Sequence, residues 1–110
     1  MEVERRRFPR YPFVAEVHIE EILSRTEFVG RTRNISFGGC FIDVDDPLRA
    51  GTPVRITISN DGMTFKALGN VVVALANFGM RLAFESFGAE QETVLRAWVE
   101  SAKQKSGCQH

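Results

Sequence analysis

The sequence predicts an all-β domain, a small antiparallel barrel or sandwich followed by one C-terminal helix. Two observations carry that prediction. Between Phe13 and Glu85, six extended runs are separated by turn signals, and most of them place apolar side chains at every second position. After Gly88 the spacing changes, and Val94, Leu95, Trp98 and Ala102 recur at helical intervals. Closure into a barrel removes the exposed edges that an open six-stranded sheet would have to protect.

The elements follow in order. Residues 1–12 are polar and basic, with Pro9 and Pro12, and read as a flexible extended arm. Phe13, Ala15, Val17 and Ile19 then alternate with Glu16, His18 and Glu20, the mark of a strand with one wet face. Leu23 to Thr26 is a candidate turn, and Glu27 to Ile35 a second extended run. Ser36-Phe37-Gly38-Gly39 is a turn signal ahead of a third strand that buries Cys40, Ile42 and Val44. In the fourth strand, Pro53 to Ser59, Val54, Ile56 and Ile58 face inward. Asn60-Asp61-Gly62 is a tight hairpin connector to a fifth strand, Thr64 to Ala74, whose Val71-Val72-Val73 run suggests burial on both faces. Met80, Leu82 and Phe84 define the sixth. The helix is expected over about Ala89–Lys103, with Glu90 and Glu92 in its first turn and Lys103 and Lys105 near its end. The globular part is thus expected over residues 13–105, with a frayed tail at 106–110.

At 110 residues the chain is one domain, large enough to bury a core. No apolar run approaches the roughly 20 residues that span a bilayer, and the start carries no leader-like apolar stretch, so a cytoplasmic location is expected. Cys40 and Cys108 are then expected to be free thiols. Lysine plus arginine equals aspartate plus glutamate at fourteen each, which argues against binding to nucleic-acid phosphates in general. The distribution is less even. Arg5, Arg6, Arg7 and Arg10 crowd into the first ten residues without a lysine, and an all-arginine cluster favours planar, forked recognition over simple charge attraction.

Catalysis finds little support. The two histidines, His18 and His110, lie on a wet strand face and at the last position, Cys40 faces the core, and no metal-ligand spacing occurs. No catalytic residue, metal or cofactor is expected. Two elements remain as candidates for binding. In Arg5-Arg6-Arg7-Phe8-Pro9-Arg10, guanidinium forks match both the O6/N7 edge of guanine and phosphate oxygens, although a solvated basic terminus would look the same. In Asn34-Ile35-Ser36-Phe37-Gly38-Gly39, alternation points Asn34 and Ser36 the same way and the glycines allow close approach, although a self-satisfied turn would look the same.

Taken together, the two elements give the order Arg-Arg-x-x-x-Arg and then Asn-x-Ser-x-x-Gly. With Tyr11-Pro12 behind the arm and the late strand Gly79-Met80-Arg81-Leu82-Ala83-Phe84, the chain resembles the PilZ domain family of bacterial cyclic di-GMP receptors over almost its whole length. The resemblance implies a six-stranded antiparallel barrel with a C-terminal helix, and an arm that folds over ligand held on the barrel surface. It implies guanine and phosphate contacts from Arg5, Arg6 and Arg10, a guanine-edge contact from Asn34, a phosphate or base contact from Ser36, and close approach at Gly39. Arg7 and Gly38 would be auxiliary, and Arg81, outward by alternation, would join the ligand-facing wall. Asn34 stands where the family also uses aspartate, so weaker binding is expected, and Glu4 sits where neighbours bear on whether one ligand or a stacked pair binds. The expected function is a cyclic di-GMP sensor that relays the messenger to a protein partner by ordering its arm. The alternative is an interaction module of the same fold that binds no nucleotide. Single-stranded nucleic-acid binding through Phe37 and Phe41 is a third reading, disfavoured by the neutral charge.

Overall fold

The structure, a computed structural model, describes residues 8–107. It contains strands β1 (Tyr11–Pro12), β2 (Glu16–Glu21), β3 (Glu27–Ile35), β4 (Gly39–Asp43), β5 (Pro53–Asn60), β6 (Met63–Leu75) and β7 (Gly79–Ser86), then helix α1 (Ala89–Gly107). The sheet order is β1-β3-β2-β5-β6-β7-β4, and β4 also pairs with β3. That last pairing closes β2 to β7 into a six-stranded antiparallel barrel, with β1 as a short extra strand along β3. The choice between barrel and sandwich is thereby made in favour of the barrel.

The alternation fills the interior. Val17, Ile19, Ile35, Ile42, Val54, Ile56, Ile58, Phe65, Met80 and Leu82 are wholly or almost wholly buried, and α1 adds Leu95, Trp98, Val99 and Ala102. Phe65 is the hinge of this packing: its ring centroid lies 5.0 Å from Phe84, 5.3 Å from Phe87 and 6.4 Å from Trp98. Asp61 and Gly62, both at positive φ, form the two-residue connector between β5 and β6, as a hairpin whose turn matches the strand twist requires.

Three features differ from the expectation. Tyr11–Pro12, assigned to the arm, pair with Ile35 and Asn34. The Val71-Val72-Val73 run is not buried on both faces, because the register shifts there. Val71 faces Leu82 and Val73 faces Arg81, which leaves Val72 as an extra residue that is 46% exposed. The helix continues past Lys103 to Gly107, since Gln104 and Lys105 are good helix formers and no breaker intervenes.

Where β1 gives way to β2, Val14 bulges outward and the buried Thr32 spans the gap. Its hydroxyl donates to the Phe13 carbonyl at 2.7 Å and accepts from the Ala15 amide at 2.9 Å. A side chain here replaces ladder bonds that the backbone cannot make.

Cys40 is a free, buried thiol, and burial pushes its pKa from 9.0 up to about 12. The fold therefore holds this proton more tightly than the unfolded chain does. The associated stability is complete below about pH 9 and is lost as pH rises toward 12. In a Cys108→Ser background the native thiol is expected to resist a thiol reagent at pH 8 and to react once denaturant unfolds the chain. Cys40→Ala is expected to flatten the stability loss above pH 9, measured by circular dichroism.

Candidate functional site

The β3–β4 turn organises the site. Ile35 pairs with Cys40, and the Ser36 amide donates to the Gly39 carbonyl at 2.8 Å. Ser36 does not continue the outward alternation. Its side chain is buried, and its hydroxyl accepts from the amides of Gly38 and Gly39, both at 3.1 Å, while donating to the Gly39 carbonyl at 3.3 Å. The serine thus shapes the turn from inside. Neither glycine has a positive φ, so both are explained by space. A Cβ on Gly39 would collide with the Leu82 carbonyl of β7, and one on Gly38 would come within 2.9 Å of the Phe8 ring.

Phe8 shows where the described end of the arm lies. Its ring sits against Gly38 and meets the Phe37 ring edge-on at 6.4 Å between centroids. Beside it opens a cleft of about 260 Å³ lined by Phe8, Arg10, Ser36, Gly38, Gly39, Val72, Arg81 and neighbours. Five of the sequence-derived candidates, Arg10, Ser36, Gly38, Gly39 and Arg81, therefore meet at one place. A larger hollow of about 570 Å³ beside β2 and β3, bordered by Glu16 and Arg31, contains none of them.

Asn34 is not in the lining of that cleft. It stands one row along the outer wall, where Pro12, Asn34, Phe41, Arg81 and Val73 are consecutive cross-strand neighbours. Its Oδ1 is shielded from solvent and has no hydrogen-bond partner among the described residues. Such an acceptor is costly to leave unmet, and it suits an incoming N–H donor. Arg5, Arg6 and Arg7 lie outside the described residues. No helix among the described residues is long and apolar enough to cross a membrane, and no three His, Cys, Asp or Glu side chains among them gather as a metal-binding group.

Two residues missing from the expectation flank this wall. Arg33 and Val72 are both bulged, in β3 and β6, and so are turned toward the outer face. A bulge adds a single residue without changing the local composition, so neither was visible in the alternation.

The sequence model of the PilZ domain matches residues 4–101. The chain belongs to the PilZ domain family. Solved structures agree on the fold. The Bacillus subtilis inhibitor of motility MotI/DgrA superposes with a TM-score of 0.77 at 19% identity over 92% of this chain. The PilZ chain covers 52% of that protein, so it spans about half its length. The PilZ domain of CeSA from a cellulose-synthesizing bacterium gives 0.68 at 21% identity, covering 86% of this chain and 98% of that one. The PilZ domain of YcgR from Escherichia coli, solved with c-di-GMP, gives 0.72 at 14% identity, covering 93% and 94%. No curated protein sequence matches the chain.

Proposed function

We propose that this PilZ domain binds cyclic di-GMP on its outer wall and signals by ordering its N-terminal arm over the ligand for a protein partner to read. The observation that carries the proposal is the seating of Phe8 on Gly38, which delivers Arg10 to the cleft beside the turn. Arg5 and Arg6, which precede Phe8 in the sequence, would serve as forked donors to guanine and phosphate, with Arg7 as an auxiliary charge. Asn34 offers its unmet Oδ1 to a guanine N–H, and Arg81 supplies charge from the wall. The solved YcgR domain with c-di-GMP supports the ligand class. Order-on-binding is an established way to switch a surface.

One observation favours the second reading, a PilZ interaction module without nucleotide. The Ser36 hydroxyl is already committed to its own turn. Calorimetric titration decides between the two. The wild type is expected to bind cyclic di-GMP, and Arg6→Ala and Arg10→Ala are each expected to weaken binding by about ten-fold or more, the loss of one charge-assisted bond. No heat from the wild type at tens of micromolar protein would overturn the proposal. Asn34→Asp is expected to tighten binding by up to about ten-fold, because a charged acceptor replaces a neutral one. It is also expected to lower the melting temperature of the free domain, where that position is shielded and has no hydrogen-bond partner among the described residues.

A further inference from the structure

The bulge in β3 has a chemical result. Thr32 faces Ile42 and Asn34 faces Phe41, so Arg33 has no opposite residue on β4. Its guanidinium lies 4.9 Å from the centroid of the Phe78 ring. Its Nε donates to Asp43 Oδ1 at 2.9 Å, and Nη2 lies 2.7 Å from the same oxygen as an ion pair. Nη1 and the Asp43 Oδ2 make no further bond among the described residues. Phe78 is 47% exposed, and its ring centroid is 5.4 Å from that of Phe41, the residue between Asn34 and Arg81 in the wall.

These groups form a shelf with three complementary parts. The half-exposed Phe78 ring offers a stacking surface for a base. The free guanidinium N–H matches the O6 and N7 acceptors of guanine, and the free carboxylate oxygen matches its N1–H and N2–H donors. Adenine presents neither an O6 acceptor nor those donors in the same arrangement. Asp43 lies four residues along β4 from Gly39, roughly 13 Å at ~3.3 Å per residue. The shelf and the cleft are therefore at opposite ends of one wall, with Phe41 between them.

We infer that Arg33, Asp43 and Phe78 form a second guanine subsite, which holds the base of a bis-guanine dinucleotide that the cleft and arm do not hold. This inference rests on the cyclic di-GMP reading above. It assigns the bulge a purpose that a surface ion pair alone lacks, since exposed pairs contribute little to stability.

The test is calorimetry on the full chain with two probes, cyclic di-GMP and the mixed cyclic dinucleotide in which one guanine is replaced by adenine. The wild type is expected to prefer the two-guanine ligand by about ten-fold, the effect of one charge-assisted bond to the second base. In Asp43→Asn that preference is expected to fall to near unity, while the mixed ligand binds about as before. In Phe78→Ala both ligands are expected to weaken together by about ten-fold, through lost stacking. A merely structural ion pair would move the melting temperature and leave the preference between ligands intact. Unchanged preference in Asp43→Asn together with unchanged affinity in Phe78→Ala, in a wild type that binds, overturns the subsite and leaves the cyclic di-GMP reading standing. A wild type that binds neither ligand overturns both.

Discussion

Gly39→Ala is expected to destabilise the domain by about 3 kcal/mol, the upper end of the usual cost of overpacking. The added methyl would meet the Leu82 carbonyl, a backbone atom fixed in the β4–β7 ladder, and not a side chain that can swing aside. Relief requires the two strands to separate next to the site. For a domain of this size the loss corresponds to a fall in melting temperature of roughly 12–24 °C, measurable by calorimetry. Gly38→Ala makes a useful contrast. Its methyl would press on Phe8, a ring that is 43% exposed, so the expected cost is within about 0.5 kcal/mol, as for other surface changes. Its effect should appear instead as weaker cyclic di-GMP binding, because the arm loses its seat. If Gly39→Ala melts with the wild type, the close approach of β4 to β7 is not what requires glycine there.

Thr32→Val is the second large effect. Valine matches threonine in shape but cannot accept from the Ala15 amide or donate to the Phe13 carbonyl. The buried Ala15 amide and the part-buried Phe13 carbonyl then lose this partner, at about 1–3 kcal/mol for a buried group left unmet and less for the other. The expected loss is about 3 kcal/mol, read as a lower denaturation midpoint at unchanged slope. The same bracket fixes the point at which Pro12 and Tyr11 leave the barrel, so the variant is also expected to bind cyclic di-GMP less tightly even at temperatures where it remains folded. Equal stability of Thr32→Val and the wild type would show that the bracket is dispensable.

Much of this was readable from the residues because the barrel is regular where it is buried. Period-two alternation located most of the barrel strands, composition located the Glu27–Ile35 run, and Asp61-Gly62 marked its hairpin, since each depends on local chemistry that a short window contains. β1 escaped notice because two residues, one of them proline, carry no periodic signal. Closure also depends on the pairings of β2 with β5 and of β4 with β7, which join residues about forty positions apart and so leave no mark in a short window. At the site, residue identity was legible and orientation was not. Asn34 and Ser36 share a parity, but the strand ends at Ile35, and the turn then draws the Ser36 hydroxyl inward. Arg33 looked like one more surface charge until the bulge set it over Phe78.

The packing of α1 has a practical consequence. Trp98 is the only tryptophan in the chain, and its ring packs, tilted by 32°, at 5.4 Å between centroids against Phe13, three residues beyond Arg10 and directly after β1. The junction between arm and barrel therefore rests on the protein's single strong intrinsic fluorophore. Any rearrangement that shifts Phe13 alters the surroundings of that indole, so its emission becomes a label-free optical record of how the arm meets the barrel.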